Sequence, residues 1–194
     1  MLKLILASTS PRRAEILHNA GFTFSVMSSA VDETPFPDES ARDHVARLAA
    51  AKAELVAARA IGPAIVLAAD TVVALDDRIL GKPHSEENAR HMLHALSGRT
   101  HAVLTGVVLI RLPDAERVAL VESTLVHFAQ LSDEEISRYL ATEEPHDKAG
   151  AYAIQGHAGR YIPRIEGCYF NVVGLPIART VALLAEATAA IAEP

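Results

Sequence analysis

Residues 2–13 read LKLILASTSPRR, an apolar run followed by a turn of small polar residues. The run predicts a buried strand. The turn predicts a helix with Ser10 as its N-cap and Pro11 at its first position. Free backbone N–H groups and the positive end of that helix would point at one place beside Arg12 and Arg13, and such a place binds phosphate. Taken alone, the stretch slightly favours a plainer interpretation, a capped helix with two solvated arginines.

The rest of the chain alternates predicted strands with predicted helices. Strands are predicted at 2–7, 22–27, 64–69, 71–75, 101–110, 118–128 and 168–173, and helices at 11–20, 40–60, 85–96, 132–141 and 176–191. The strands at 101–110 and 118–128 are predicted to form a long hairpin. This alternation, without repeats, predicts an α/β fold in a single domain over residues 1–194.

The composition restricts the class of partner. Half of the 194 residues are hydrophobic, and the formal net charge is -6, which argues against binding to nucleic acid or to anionic membranes. Phosphate binding must then come from a local cationic pocket. One cysteine, Cys168, fits a reducing compartment. Neither a signal peptide nor an apolar run of membrane-spanning length is visible, so we expect a cytoplasmic protein.

Lys52 is unusual within the predicted helix at 40–60. It lies on the apolar stripe of that helix, seven residues after Val45 and four before Val56. One interpretation is a lysine whose stem passes the edge of the core and whose ammonium reaches water. The other is a lysine that reaches an anionic ligand beside the core, and the spacing alone favours neither.

Several further polar residues stand where a ligand could be contacted. Asp70 ends the apolar run 65–69, and Glu33 lies in a predicted loop. Lys82 stands between a glycine and a proline, and Gln155 lies in a loop of small residues that backbone can bring close to a ligand. Asp70 and Lys82 also have a plainer interpretation as parts of ordinary turns.

Together these residues supply the polar parts of a nucleoside triphosphate site. Four cations are available to offset phosphate charge: Arg12, Arg13, Lys52 and Lys82. Glu33 and Asp70 would hold a divalent metal ion, since Mg²⁺ needs only one or two carboxylates in addition to phosphate oxygens. Asp70 could also accept a proton from water. A zinc site at His91 and His94 is not supported, because the sequence has no HExxH motif and no Cys/His set at zinc spacing.

The chain resembles the Maf family of nucleoside triphosphate pyrophosphatases. The resemblance rests on an ordered set of segments that covers nearly the whole chain: 8–13, 31–33, 69–73, 81–83, 101–106, 144–152 and 171–176. It implies an elongated mixed-sheet α/β fold with a central cleft, similar to inosine triphosphate pyrophosphatases. It also implies hydrolysis of a nucleoside triphosphate to monophosphate and pyrophosphate with Mg²⁺ or Mn²⁺, and it raises the expectation of a homodimer.

The resemblance also implies roles for single residues. Asp70 matches the proton acceptor, and Glu33 matches another residue of the cleft. Three residues match positions that set base preference: Arg13, Thr71 and Gln155. The remaining matches are also cleft residues. Together with Arg13 we expect them to bind phosphate: Ser8, Arg12, Arg13, Lys52 and Lys82.

Two short segments resemble those of the dTTP/UTP pyrophosphatases within this family. They are Asp70-Thr71 and Ile154-Gln155-Gly156, where the 7-methyl-GTP enzymes have Asp-Gln and Ser-Glu-Gly. The implied function is cleaning of the nucleotide pool, with a link to cell division arrest. A nucleotide-binding regulatory protein and a pyrophosphatase selective for purines or 7-methyl-GTP remain as alternatives.

Two positions depart from the family pattern. Ala153 stands where the family usually has glycine, and it would strain the loop if that position needs a positive φ. Cys168 replaces a residue that is usually acidic or polar. Neither residue is among the candidate site residues named above.

Overall fold

The computed structural model describes residues 2–76, 78–142 and 144–189. The strands are β1 (Lys3–Leu6), β2 (Phe24–Val26), β3 (Ala64–Leu75), β4 (Arg78–Leu80), β5 (Thr100–Leu112), β6 (Glu116–His127) and β7 (Arg164–Glu166). The helices are α1 (Pro11–Asn19), α2 (Ala41–Ala57), α3 (Glu86–Leu96), α4 (Asp133–Leu140), α5 (Tyr169–Val173) and α6 (Ile177–Ala189). Short 3₁₀ helices cover Glu144–Asp147, Ala149–Ala151 and His157–Tyr161.

The strands form one mixed sheet in the order β2-β1-β3-β5-β6-β7, with β4 added against β3. Strand β1 is parallel to both β2 and β3, whereas β4 is antiparallel to β3 and β7 is antiparallel to β6. The predicted mixed α/β class is therefore confirmed. The predicted hairpin is confirmed too, because β5 and β6 are neighbours joined by a short turn.

Three features of the fold differ from the prediction. The strands predicted at 64–69 and 71–75 are one strand, β3, so Asp70 lies within it and not at its end. The predicted strand at 168–173 is wrong: this segment is the helix α5, preceded by Gly167 and followed by Gly174, both with positive φ. Strands β4 and β7 and the 3₁₀ helices were not predicted. The other elements are confirmed with small shifts at their ends, and residues 190–191 of the last predicted helix lie outside the described residues.

The chain forms two compact units. Unit 1 contains, of the described residues, 2–70, 105–122 and 174–189. Its core packs the small apolar face of α2 on β1, β3 and β5. A Cβ at Gly106 would lie 2.4 Å from the carbonyl oxygen of Val45, so the backbone of α2 rests directly on β5. This close approach fixes the height of α2 above the sheet.

Unit 2 contains the described residues of 71–104 and 123–173. Its core includes a group of aromatic rings, in which the ring of Tyr152 lies 5.4 Å from that of His101 and 5.0 Å from that of Phe128. His101 is buried, and its Nε2 lies 2.8 Å from the hydroxyl of Tyr152. Burial lowers the pKa of His101 to about 4, with a smaller contribution from the nearby charge of His127.

The prediction of a single domain over residues 1–194 stays a prediction. Among the described residues, no helix combines the length and the apolar character needed to cross a bilayer.

Candidate active site

Lys52 joins two carboxylates in unit 1. Its ammonium donates to Oε1 of Glu33 at 2.5 Å and to Oδ1 of Asp70 at 2.7 Å. Lys52 and Asp70 are both buried, at 7% and 6% exposure, whereas the side chain of Glu33 is 49% exposed. Three elements thus meet at one nitrogen atom: α2, the loop before it, and β3. A buried charge is tolerated only when it is paired, and each member of this group supplies the partner of another.

The turn after β1 places Arg13 beside this group. Ser10 is the N-cap of α1 and Pro11 is its first residue, as predicted. The hydroxyl of Ser8 accepts from the backbone N–H of Ser10 at 3.1 Å and from Nη1 of Arg13 at 3.3 Å. The Nε of Arg13 donates to the carbonyl of Gly174 at 2.9 Å. The guanidinium is therefore held in one orientation from two sides.

The pKa of Arg13 shows which charges surround it. Burial lowers this pKa, the carboxylate of Asp70 raises it, Arg12 lowers it, and Glu33 raises it by a smaller amount. Arg13 stays charged, since an arginine is not deprotonated in proteins. Two arginines, one lysine and two carboxylates therefore form one electrostatic group.

A second ion pair in unit 1 holds the loop that carries Glu33. The carboxylate of Glu39 accepts from Nε of Arg47 at 2.5 Å and from the backbone N–H of Phe36 at 3.0 Å, and it contacts His44 at 2.9 Å. The Arg47 guanidinium, with His44 and the Phe36 amide, holds the pKa of Glu39 well below its usual range. Arg47 also lies over the ring of Phe36, 3.9 Å from its centroid. The loop is thus tied to α2, the helix that carries Lys52.

The remaining predicted site residues lie in unit 2. Thr71 follows Asp70 in β3 and is half-buried, whereas Lys82 and Gln155 are exposed. The backbone N–H of Gly150 donates to the carbonyl of Gly81 at 3.0 Å, which places the loop of Lys82 against the segment that leads to Gln155. The predicted roles of Thr71, Lys82 and Gln155 stay predictions.

The positive φ that was considered for Ala153 occurs two and three residues earlier in the chain. Gly150 and Ala151 have φ values of 69° and 59°, and Ala153 is not among the described residues with positive φ. Alanine at 153 is therefore compatible with this backbone, and the alanine of this segment with a strained φ is residue 151.

Two carboxylates with several partners were not predicted as parts of the site. They are Glu39 and Glu144, which hold the loops of Glu33 and Gln155. Glu144 accepts from the hydroxyl of Tyr139 at 2.9 Å and from the backbone N–H of His157 at 2.8 Å. Glu144 opens one of the segments that resemble the Maf family, and that position was the available signal.

Among the described residues, no three His, Cys, Asp or Glu side chains are grouped so as to hold a metal ion by themselves. The carboxylates of Glu33 and Asp70 nevertheless contact the same ammonium nitrogen and so lie side by side. Hard oxygen donors of this kind fit Mg²⁺ or Mn²⁺ when phosphate oxygens complete the coordination.

The family model of Maf-like proteins matches residues 3–187. A relative from Symbiobacterium thermophilum, named dTTP/UTP pyrophosphatase, is 52% identical over 186 residues, which cover 96% of this chain and 94% of that protein. A relative of the same name from Syntrophus aciditrophicus is 48% identical and covers 94% of this chain and 88% of its own length.

Among solved structures, the Staphylococcus aureus Ham1 protein has the same fold. Its TM-score is 0.51 at 15% identity, with 96% of this chain and 100% of that chain covered. From the family model and the close relatives together, the chain belongs to the Maf family.

Proposed function

We propose that this protein hydrolyses pyrimidine nucleoside triphosphates, dTTP and UTP above others, to the monophosphate and pyrophosphate. The observation that carries the proposal is the group formed by Lys52, Asp70 and Glu33 beside two arginines. Membership of the Maf family and the name shared by the relatives support it.

The chemistry that fits this group is attack of water on the α-phosphorus. Asp70 accepts a proton from the water while the oxygen of the water forms a bond to the α-phosphorus. The bond from the α-phosphorus to the oxygen that bridges to the β-phosphorus breaks, and the pyrophosphate keeps that oxygen. Arg12, Arg13 and Lys52 offset the charge that develops on the phosphate oxygens, and Ser8 and Lys82 add contacts to phosphate.

Glu33 and Asp70 are the residues that would hold a divalent cation, Mg²⁺ or Mn²⁺. When bound, such an ion supplies positive charge to the phosphate oxygens. Lys52 contacts both carboxylates, so it offsets their charge when no other cation does.

Base preference is assigned to Gln155 and Thr71, with Arg13 as a third contributor. The amide of Gln155 can donate to O4 of thymine or uracil and accept from N3–H. Cytosine has a donor in place of O4 and no N3 proton, which would leave polar groups unpaired. We therefore expect dTTP and UTP to be hydrolysed faster than dCTP, CTP and the purines.

The remaining expectations follow from the same proposal. A pyrophosphatase that removes unwanted or modified pyrimidine nucleotides belongs in the cytoplasm, acts on a small molecule and has no need of nucleic acid or membrane. A homodimer and a link to cell division arrest are proposed from the family resemblance.

Pyrophosphate release should be measured over a panel of canonical and modified nucleoside triphosphates with Mg²⁺ or Mn²⁺. The proposal expects dTTP and UTP to lead, with monophosphate and pyrophosphate as the products. Release of orthophosphate and diphosphate would reject the reaction. A panel led by GTP, 7-methyl-GTP or inosine triphosphate would reject the base preference alone, and binding without turnover would favour a regulatory protein.

A further inference from the structure

Glu144 lies beneath a loop of unit 2 that we call the 153–158 loop. Its Oε1 accepts from the hydroxyl of Tyr139 at 2.9 Å and from the backbone N–H of Ala158 at 3.4 Å. Its Oε2 accepts from the backbone N–H of His157 at 2.8 Å. One carboxylate therefore holds three donors on its two oxygens, and two of those donors are backbone groups of the loop.

Tyr139 extends the same network to the other end of the loop. Its hydroxyl donates to Glu144 and accepts from the backbone N–H of Ala153 at 3.2 Å. Tyr139 is itself fixed, because it is buried in the core and packs edge-on against the ring of Tyr161. Both ends of the loop are thus tied to one pair of side chains, and Gln155 lies between them.

Gly156 leaves the room that this carboxylate occupies. A Cβ at residue 156 would lie 2.2 Å from Oε2 of Glu144 and 2.4 Å from its Cδ. The φ of Gly156 is -110°, a value that any residue adopts. Glycine is therefore needed here for space, and its φ adds no requirement of its own.

We propose that Glu144, with Tyr139, is a positioning residue that sets base selectivity by fixing the backbone on either side of Gln155. The proposal rests on the proposed function of Gln155 as the residue that contacts the base. A hydrogen-bonded amide discriminates between bases only if its backbone is held, since a displacement of about 1 Å can change a rate by about 100-fold. The requirement is for a carboxylate, because an amide would turn one of the two accepting atoms into a donor that faces another donor.

The test compares Glu144→Gln and Tyr139→Phe with the matched control Glu134→Gln. Glu134 lies on α4 like Tyr139, and its side chain is 84% exposed. For each variant, kcat and KM are measured with dTTP and with dCTP. We expect kcat/KM for dTTP to fall about 10- to 100-fold in the two test variants. We expect much less change for dCTP, so that the preference shrinks, while the control keeps it.

If Glu144 had a merely structural role, kcat/KM would fall in the same proportion for dTTP and for dCTP. That result would overturn the proposal. Gln155→Ala separates this failure from failure of the proposed function. If Gln155→Ala shrinks the preference and Glu144→Gln does not, only the positioning role is wrong. If Gln155→Ala leaves the preference intact, base contact by Gln155 is wrong, and the positioning role falls with it.

Gly156→Ala tests the same contact without removing any charge. The added methyl group must displace the carboxylate of Glu144, so we expect the dTTP preference to shrink as in Glu144→Gln. The double variant should be no worse than the more affected single variant, because both changes break one contact. Effects that multiply in the double variant would show that Gly156 acts independently of Glu144 and would overturn this part of the argument. This comparison also applies if Glu144→Gln folds poorly, since Gly156→Ala keeps every polar group.

Discussion

Unit 1 holds its polar interior with ion pairs, whereas unit 2 uses aromatic rings and hydrogen bonds from uncharged donors. In unit 1, Lys52 is paired with Asp70, and Glu39 is paired with Arg47. In unit 2, the buried His101 meets the hydroxyl of Tyr152, and the donors to Glu144 are another hydroxyl and backbone N–H groups.

The two kinds of interior respond differently to acid. The pKa of Glu39 lies well below its usual range, so its stabilising contribution is complete above the ordinary carboxyl pKa and declines only as the pH falls below that value. The pKa of His101 is lowered to about 4, so His101 disfavours the folded state as soon as the pH falls below the ordinary histidine pKa. Acid therefore acts through His101 at a higher pH than through Glu39.

The largest expected effect tests whether the charged group of unit 1 performs the chemistry. Asp70→Asn keeps the size of the side chain and an oxygen for Lys52, but it removes the proton acceptor. We expect kcat for dTTP to fall about 10²–10⁴-fold, the usual contribution of a general base. Pyrophosphate release measures this loss, and far-UV circular dichroism checks that the fold is kept. Near-normal turnover would show that Asp70 is not the acceptor.

The next effect concerns the neutral interior of unit 2. Between pH 6.5 and about 4, His101 is protonated in the unfolded chain but neutral in the folded protein. The free energy of unfolding should therefore fall by about 1.4 kcal/mol per pH unit, or about 3 kcal/mol in total. Urea denaturation followed by far-UV circular dichroism at several pH values measures this slope.

His101→Gln should flatten that slope, whatever it costs at neutral pH. His94→Gln serves as the matched control, since the side chain of His94 is 44% exposed on α3 of the same unit. If the control flattens the slope as much as His101→Gln does, the acid sensitivity does not arise from the buried ring.

A smaller effect tests the ion pair that ties the loop of Glu33 to α2. Arg47→Met keeps the apolar stem of Arg47 but leaves Glu39, whose side chain is 7% exposed, without its cation. We expect a loss of about 2 kcal/mol in the free energy of unfolding, the scale of a hydrogen bond to a charged group. The pKa of Glu39 should also rise toward its ordinary value of 4.5, so the variant should lose less further stability than the wild type as the pH falls below that value.

Arg117→Met provides the comparison in the same unit, because its ion pair with Glu54 is half exposed on both sides. Urea midpoints of the two variants at neutral pH decide the matter. Equal losses of stability in the two variants would mean that the burial of Glu39 does not strengthen its ion pair with Arg47.

The smallest expected effect concerns an ion pair on the surface of unit 2. Unit 2 also has an exposed ion pair, Arg138 with Glu134, one turn apart on α4. Because exposed pairs of this kind are screened by water and salt, Arg138→Ala should leave the urea midpoint unchanged within error. A clear loss of stability would show that unit 2 depends on charge after all.

Sequence reasoning succeeded where the signal was local. The helical period placed Lys52 on the buried stripe of α2, and the turn after β1 placed Pro11 at the start of α1. It could not supply partners that only the tertiary fold brings together. Glu33 and Asp70 are 19 and 18 residues from Lys52 along the chain, on opposite sides of it. Because Lys52 pairs with the charge of Asp70, the aspartate can lie inside the long strand β3 and not at its end.

The same limit explains why the loop supports were missed. Glu144 is 13 residues from His157, and its importance depends on three donors that the chain folds around it. The Maf-like segment that Glu144 opens marks its position, but neither that segment nor any periodicity indicates which donors it meets. Gly156 gave no conformational signal either, since its φ is ordinary.

The aromatic core of unit 2 has a consequence for spectroscopy. The chain has no tryptophan, and its four tyrosines are Tyr139, Tyr152, Tyr161 and Tyr169. All four belong to unit 2. Ultraviolet fluorescence of the unlabelled protein therefore reports on the unit with the neutral interior and is nearly silent about the unit with the charged group. A melting curve recorded in this way draws its signal from unit 2, and a tryptophan introduced into unit 1 would provide a signal from that unit.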